Sequence, residues 1–191
     1  MNLYLYKTCF PLHNFHMSLF LVIILSLVGI IFLALIIGLF KRKDYNIIRE
    51  IHIDTPSQVV FDYVKMLKNQ DNFNKWVMVE PEMKKEFKGT DGTVGFIYAW
   101  NGKKAGAGEL EIKQLVEGKS IETEIRFIRP FVAIAEVKMT TEELSENQTK
   151  ITWSNKSNMK YPLNLLLPLA EKILARDMDT SLGMLKNILE K

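Results

Sequence analysis

The 191-residue chain has one cysteine, Cys9, so an internal disulfide is excluded. With only His13, His16 and His52 beside it, most zinc-site arrangements are excluded too. No EF-hand spacing, nucleophile elbow, HExxH, P-loop or GxGxxG pattern occurs. A Ser/His/Asp triad would need an inward histidine, and His52 falls on the polar side of its strand. Repeats and low-complexity tracts are missing as well. Acid is absent from the first 43 residues, which carry Lys7, Lys41, Arg42 and Lys43. The formal net charge is +3, so everything after Lys43 sums to −1. The basic excess therefore sits at the N-terminal segment. The rest lacks the basic patch a nucleic-acid binder needs.

One long apolar run is present. Residues 17–40, MSLFLVIILSLVGIIFLALIIGLF, contain no charge. As a helix they would reach about 36 Å, enough to cross a ~30 Å hydrocarbon core with tilt. A signal peptide has a shorter apolar region and a small-residue cleavage site, whereas this run ends in Phe40-Lys41-Arg42-Lys43. The sequence predicts an uncleaved single-pass membrane helix. The basic cluster Lys41, Arg42 and Lys43 would lie against the membrane surface and place the following domain in the cytoplasm. Residues 1–16 read as an N-terminal extension, and either Met1 or Met17 could be the start. Residues 41–46 form a basic linker of at most ~20 Å, and 47–191 a single domain.

Within that domain, 46–53 reads as a strand. Thr55, Pro56 and Gln58 then have the spacing of a helix N-cap, first turn and capping box. A second short helix is expected over 70–77. From Lys84 the period changes to two, with strands predicted at 93–100, 109–113, 121–129, 131–141 and 149–155. Asn101-Gly102 signals a two-residue hairpin. The mixed-sign outer rows suit the wet face of an antiparallel sheet. The apolar rows require a partner, supplied by a helix over 168–189 with Leu174, Met178, Ser181, Leu185 and Ile188 on one stripe. The fold class is α+β, with the sheet curled around the last helix.

The segments IDTPSQVVFDYV (53–64), GTVGFIYAW (92–100), AGAGELEI (105–112), RFIRPF (126–131) and KITW (150–153) carry a resemblance. Together with Trp76, Glu80-Pro81, Met83-Lys84 and the closing helix, they resemble the START-like, polyketide cyclase-like (SRPBCC) superfamily and its helix-grip fold. The apolar anchor makes the chain look like a membrane-anchored bacterial subgroup labelled polyketide cyclase/dehydrase. The superfamily includes lipid carriers, hormone and alkaloid binders, cyclases and heat-shock ATPase regulators, so fold does not choose a function.

The resemblance implies a cavity between sheet and last helix. Its candidate lining is Phe96, Tyr98, Trp100, Phe127, Trp153 and Met178, with polar groups from Tyr98, Thr123, Asn155 and Asp177. Ala133, Ala135, Gly106 and Gly108 are small enough to leave space there. Leu163, Leu165, Leu166 and Leu167, between two prolines, are candidates for a lid or a membrane contact. The expected function is membrane-tethered binding of a hydrophobic small molecule or lipid, with no cofactor, metal or nucleic acid. A cyclase or dehydratase acting on an apolar substrate is one alternative, and a protein-recruiting module is another. A cavity of several hundred Å³ would favour the first two. An inward carboxylate beside Tyr98 would favour the enzyme.

Overall fold

The structure is a computed structural model that describes residues 12–191. The expectations placed on Lys7, Cys9 and the start of the chain lie outside the described residues. Two compact units are present, ending at and beginning after Lys41. The first contains a helix, α1 (Leu12–Phe40), so its described part includes residues ahead of Met17. Its stretch Leu19–Phe40 is long and apolar enough to cross a membrane.

The second unit opens with β1 (Asp44–Ile53), two residues earlier than predicted. Three short helices follow, α2 (Ser57–Val64), α3 (Gln70–Phe73) and α4 (Lys75–Met78). Then come β2 (Lys84–Lys88), β3 (Ile97–Asn101), β4 (Ala107–Val116), β5 (Ser120–Arg129), β6 (Ala133–Ser145) and β7 (Gln148–Asn158). A 3₁₀ turn, Leu163–Leu166, leads into α5 (Leu167–Leu189). The strands form one antiparallel sheet in the order β1-β7-β6-β5-β4-β3-β2. This is the helix-grip fold, an α+β architecture in which the sheet wraps the last helix.

The alternation read from the sequence sets the faces. Ile121 and Thr123 of β5 and Ala135, Val137 and Met139 of β6 are buried, while the intervening charges face outward. On the outer face Arg126 binds Glu109, Glu111 and Glu124 at once, at 3.0, 2.6 and 2.6 Å. This cluster raises the arginine's affinity for its proton and holds Glu111 below the usual carboxylate range, chiefly through the Arg126 hydrogen bond. Inside, Met178, Ser181, Leu182 and Leu185 of α5 are buried against the sheet. α5 runs alongside β1, with Glu171 at Arg42, Asp179 at Arg49 and Lys186 at the His52 carbonyl.

Several local expectations are corrected. Pro56, not Thr55, caps α2; the Thr55 hydroxyl donates to Leu189 O at 2.9 Å and so ties the two helices together. Gln58 donates to Asp62 and Glu117 and completes no capping box. β3 starts at Ile97 because Gly89, Gly92 and Gly95 take positive φ and fold the preceding segment into turns. Asn101-Gly102 is not a two-residue hairpin. The loop 102–106 is longer because the Glu80 carboxylate accepts from the N–H groups of Lys103, Lys104 and Ala105 at 3.0, 2.8 and 3.1 Å. Phe131 is not an inward strand residue: β6 begins at Ala133, and Phe131 sits in the β5–β6 turn, 63% exposed.

Candidate functional site: an apolar cavity beneath the last helix

The strand register creates the space. One inward row runs Tyr98, Leu110, Ile125, Ala135, Ser157 and Tyr45 across six strands. The next runs Trp100, Gly108, Phe127 and Ala133. Small residues in the middle of these rows cannot reach α5, and the helix, closely packed from Met178 onward, sends Leu174 over them. The result is a cavity of about 380 Å³, within the ~300–1,000 Å³ range of small-molecule sites. The expectation for Gly106 and Gly108 differs in mechanism. A Cβ on Gly108 would lie 2.6 Å from the Trp100 ring, and one on Gly106 2.3 Å from Arg129 O. Both glycines permit close packing rather than empty space.

The walls are Trp76, Val77, Met83, Trp100, Leu110, Ile125, Phe127 and Leu174, joined by Val79 and Lys104 where the lining is solvent-exposed. Trp100 is fixed by an edge-on contact with Phe127 (6.1 Å) and by its Nε1–H donating to Ala105 O. Polar groups are few. Gln70 and Asn74 bond to each other, Nδ2 of Asn74 donating at 2.7 Å. Tyr98 OH donates to Asp71 Oδ1 at 2.6 Å, and Lys85 donates to Asp71 Oδ2 at 2.8 Å. Burial, then the Asp71 carboxylate, pushes the Tyr98 pKa well above its ordinary value. Tyr45, raised mainly by burial, closes the other side. Asn155, 5% exposed, has an Oδ1 with no hydrogen-bond partner.

Of the candidate residues, Tyr98, Trp100, Phe127 and Asn155 line this cavity together. The others do not. Phe96 and Met178 are fully packed core residues, because their rows are closed by the aromatic stack with Phe87 and by α5 itself. Thr123 and Trp153 border a separate void too small for a ligand, and the Thr123 hydroxyl is turned to Val137 O. Asp177 is engaged outside the lining, pairing with Lys75 and accepting from Trp76 Nε1 at 3.2 Å. That contact holds Trp76 as a wall, edge-on to Trp153.

Sequence reasoning missed the rest of the lining, including Tyr45, Gln70, Asn74, Trp76, Met83, Leu110, Ile125 and Leu174. The available signal was the position of 70–83 between edge strand and sheet, where a segment rich in short turns has to cover an open rim. Among the leucines, Leu167 is buried, Leu165 half-buried, and Leu163 and Leu166 are exposed. In the basic cluster, Arg42 pairs with Glu171, and Lys43 O accepts from Met159 N at 2.8 Å. No cluster of three metal-ligating side chains exists among the described residues.

No family model and no curated protein matches the chain. Solved structures do. Ara h 8.0201 is 13% identical, with a TM-score of 0.54 covering 76% of this chain and 97% of its own. The Aha1 protein of Colwellia psychrerythraea is 15% identical, with a TM-score of 0.54 over 76% and 96%. DynU16, from the dynemicin biosynthetic locus, is 13% identical, with a TM-score of 0.55 over 76% of this chain and 47% of its own. These neighbours are Bet v1-like, SRPBCC-type proteins, and at such identity the likeness is one of fold.

Proposed function

We propose that the chain holds a hydrophobic small molecule or lipid in the cavity beneath α5, in a domain tethered to a membrane by Leu19–Phe40 and lying on its cytoplasmic side. The observation that carries this reading is the cavity itself: about 380 Å³, walled by aromatic and aliphatic side chains, with few polar groups. A space of this size and lining favours an apolar guest, whose transfer from water contributes about 25 cal/mol per Å² of apolar surface buried. The tether is supported by the length and apolarity of the helix and the sidedness by Lys41, Arg42 and Lys43 directly after it. Native mass spectrometry of the detergent-purified full chain, before and after organic extraction, tests the binding. A discrete extractable mass is expected. Protein without any adduct, which also fails to take up an environment-sensitive apolar dye, overturns the reading. Protease protection in vesicles tests the sidedness independently.

One observation favours an enzyme, the Asp71 carboxylate beside Tyr98. A cyclase-like reaction would use the pair as a proton relay at the cavity wall. Against this, the Tyr98 proton is directed to Asp71, which does not line the cavity, and its raised pKa makes it a reluctant acid. Binding is the better-supported reading. The two separate on Asp71→Asn: an enzyme loses turnover with the guest still bound, and a binder changes little.

A further inference from the structure

The chain enters the second unit at Arg42, and the register shows what else lies at that end of the sheet. Asp44 pairs with Asn158, Ser157 with Ala135, Ala133 with Phe127, and Arg129 with Ala107. The β5–β6 turn, the loop 102–106 and the start of α5 are therefore gathered at one end, called here the proximal end. Glu171 at Arg42 fixes the α5 start there, and Arg129 donating to Gly102 O at 3.4 Å joins the two loops.

This end is apolar at its tip. Ile128, Phe131 and Val132 are 55%, 63% and 76% exposed, and Ile134, Leu163 and Leu166 add to them. A soluble turn is normally built from polar residues; an aromatic and two β-branched residues held in water mark a contact surface. Around the tip the charge is basic. Arg42, Lys43, Lys103, Lys104, Arg129 and Lys160 outnumber Asp44, Glu80, Glu82 and Glu171, with Arg42 and Glu171 paired to each other. The distal end is mixed in charge, with Asp54, Glu117, Glu146 and Glu190 beside Lys65, Lys119, Lys186 and Lys191, and its exposed apolar residues, Val94, Val116 and Leu144, fall in three separate segments rather than in one turn.

We propose that the proximal end docks on the bilayer that holds α1, with Ile128, Phe131 and Val132 entering the headgroup layer and the surrounding bases facing anionic lipid. This rests on the reading of α1 as a membrane span. Two facts select the bilayer as occupant. Only residues 41–43 separate the last helical residue, Phe40, from β1, so the end the chain enters cannot leave the membrane surface by more than a few residues' reach. The basic excess complements anionic headgroups, whose field attracts lysine and arginine side chains held within a Debye length of the surface. The cavity's exposed lining residues, Val79 and Lys104, lie at this same end, Lys104 in the loop 102–106 and Val79 next to the Glu80 that clamps it. A docked domain thus presents the mouth to lipid, and an apolar guest passes between bilayer and cavity without crossing water.

The test places a single environment-sensitive fluorophore on the full chain in a Cys9→Ser background, at Val132→Cys or, as a distal control, at Glu146→Cys. The protein is reconstituted in vesicles of phosphatidylcholine, with or without phosphatidylglycerol. Docking predicts that the Val132 label is blue-shifted, quenched by lipid-borne spin labels and several-fold less accessible to a water-soluble quencher than the Glu146 label. The difference should grow with phosphatidylglycerol and shrink with salt. Equal, water-like behaviour of both labels in protein that resists alkaline extraction overturns docking and leaves the tether standing. Shielding of Val132 without lipid-borne quenching means a protein cover, such as a second copy, and also overturns it. Protein removed from vesicles by alkaline extraction overturns the span and the docking with it.

Discussion

Two leucine-to-alanine substitutions should separate a real cavity from a solid core. Leu182 is 1% exposed in α5 and is not part of the cavity lining. Leu110, 6% exposed on β4, has the cavity on one side. Removing a fully packed leucine costs the transfer free energy plus a term for the new void, together about 2–5 kcal/mol. Leu182 is enclosed on every side, so Leu182→Ala should fall near 4 kcal/mol. On the cavity side Leu110 has no partner atoms to lose, so Leu110→Ala only widens an existing space and should cost nearer 2 kcal/mol. For a domain of about 150 residues each kcal/mol moves Tm by about 2–4 °C. The assay is thermal unfolding of the delipidated chain in detergent, followed by near-ultraviolet circular dichroism. Refilling the cavity should widen the Leu110→Ala deficit, because the guest at 100 times its Kd adds about 2.7 kcal/mol to the wild type and less to the variant. Equal losses for the two variants, unchanged by a guest, would refute the cavity.

Three further outcomes are expected. Glu80 holds loop 102–106 through three backbone N–H groups, which pull its pKa below the ordinary 4.5. Its stabilisation is therefore present above pH 4.5 and lost as pH falls through the lower folded value; the amide shifts of Lys103, Lys104 and Ala105 should move together with one midpoint below 4.5, and a midpoint above it refutes the clamp. Arg126→Met should cost about 1 kcal/mol and flatten a slope: Glu111, held low in the wild type chiefly by Arg126, contributes stability that is lost on acidification, and the variant keeps only the part due to Lys113. Urea titrations in the carboxylate range check the slope. Tyr98→Phe removes one hydrogen bond while Lys85 still serves Asp71, so a loss of about 1 kcal/mol is expected, with guest binding measured by dye displacement nearly unchanged.

The fold was legible wherever a residue type had one physical use. The strict alternation in 121–129 could only face one way, and the stripe from Met178 to Leu185 had to find a sheet. Turn detail was less legible, because Asn101-Gly102 is an equally good turn with or without the distant Glu80 that lengthens it. The cavity was half legible. Tyr98, Trp100 and Phe127 sit on rows whose inward face was clear from the sequence. Whether an inward aromatic fills a core or lines a space depends on what α5 places opposite, and Phe96 and Met178 show that one stripe does both. Tyr45 and Leu174 join the site only through the crossing of β1 and α5, a contact spanning most of the chain.

The pairing of β1 with β7 has a mechanical meaning. Ten residue pairs, Asp44–Asn158 to Ile53–Thr149, bind the strand that follows the apolar helix. A pull outward from Lys43 acts along the axis of β1 and loads that whole ladder in shear, rather than opening its bonds in succession. With Leu19–Phe40 held in a membrane as proposed, a tug on that helix would be shared across the sheet, and the edge strand would serve as a strain-relief joint between a moving bilayer and the folded domain.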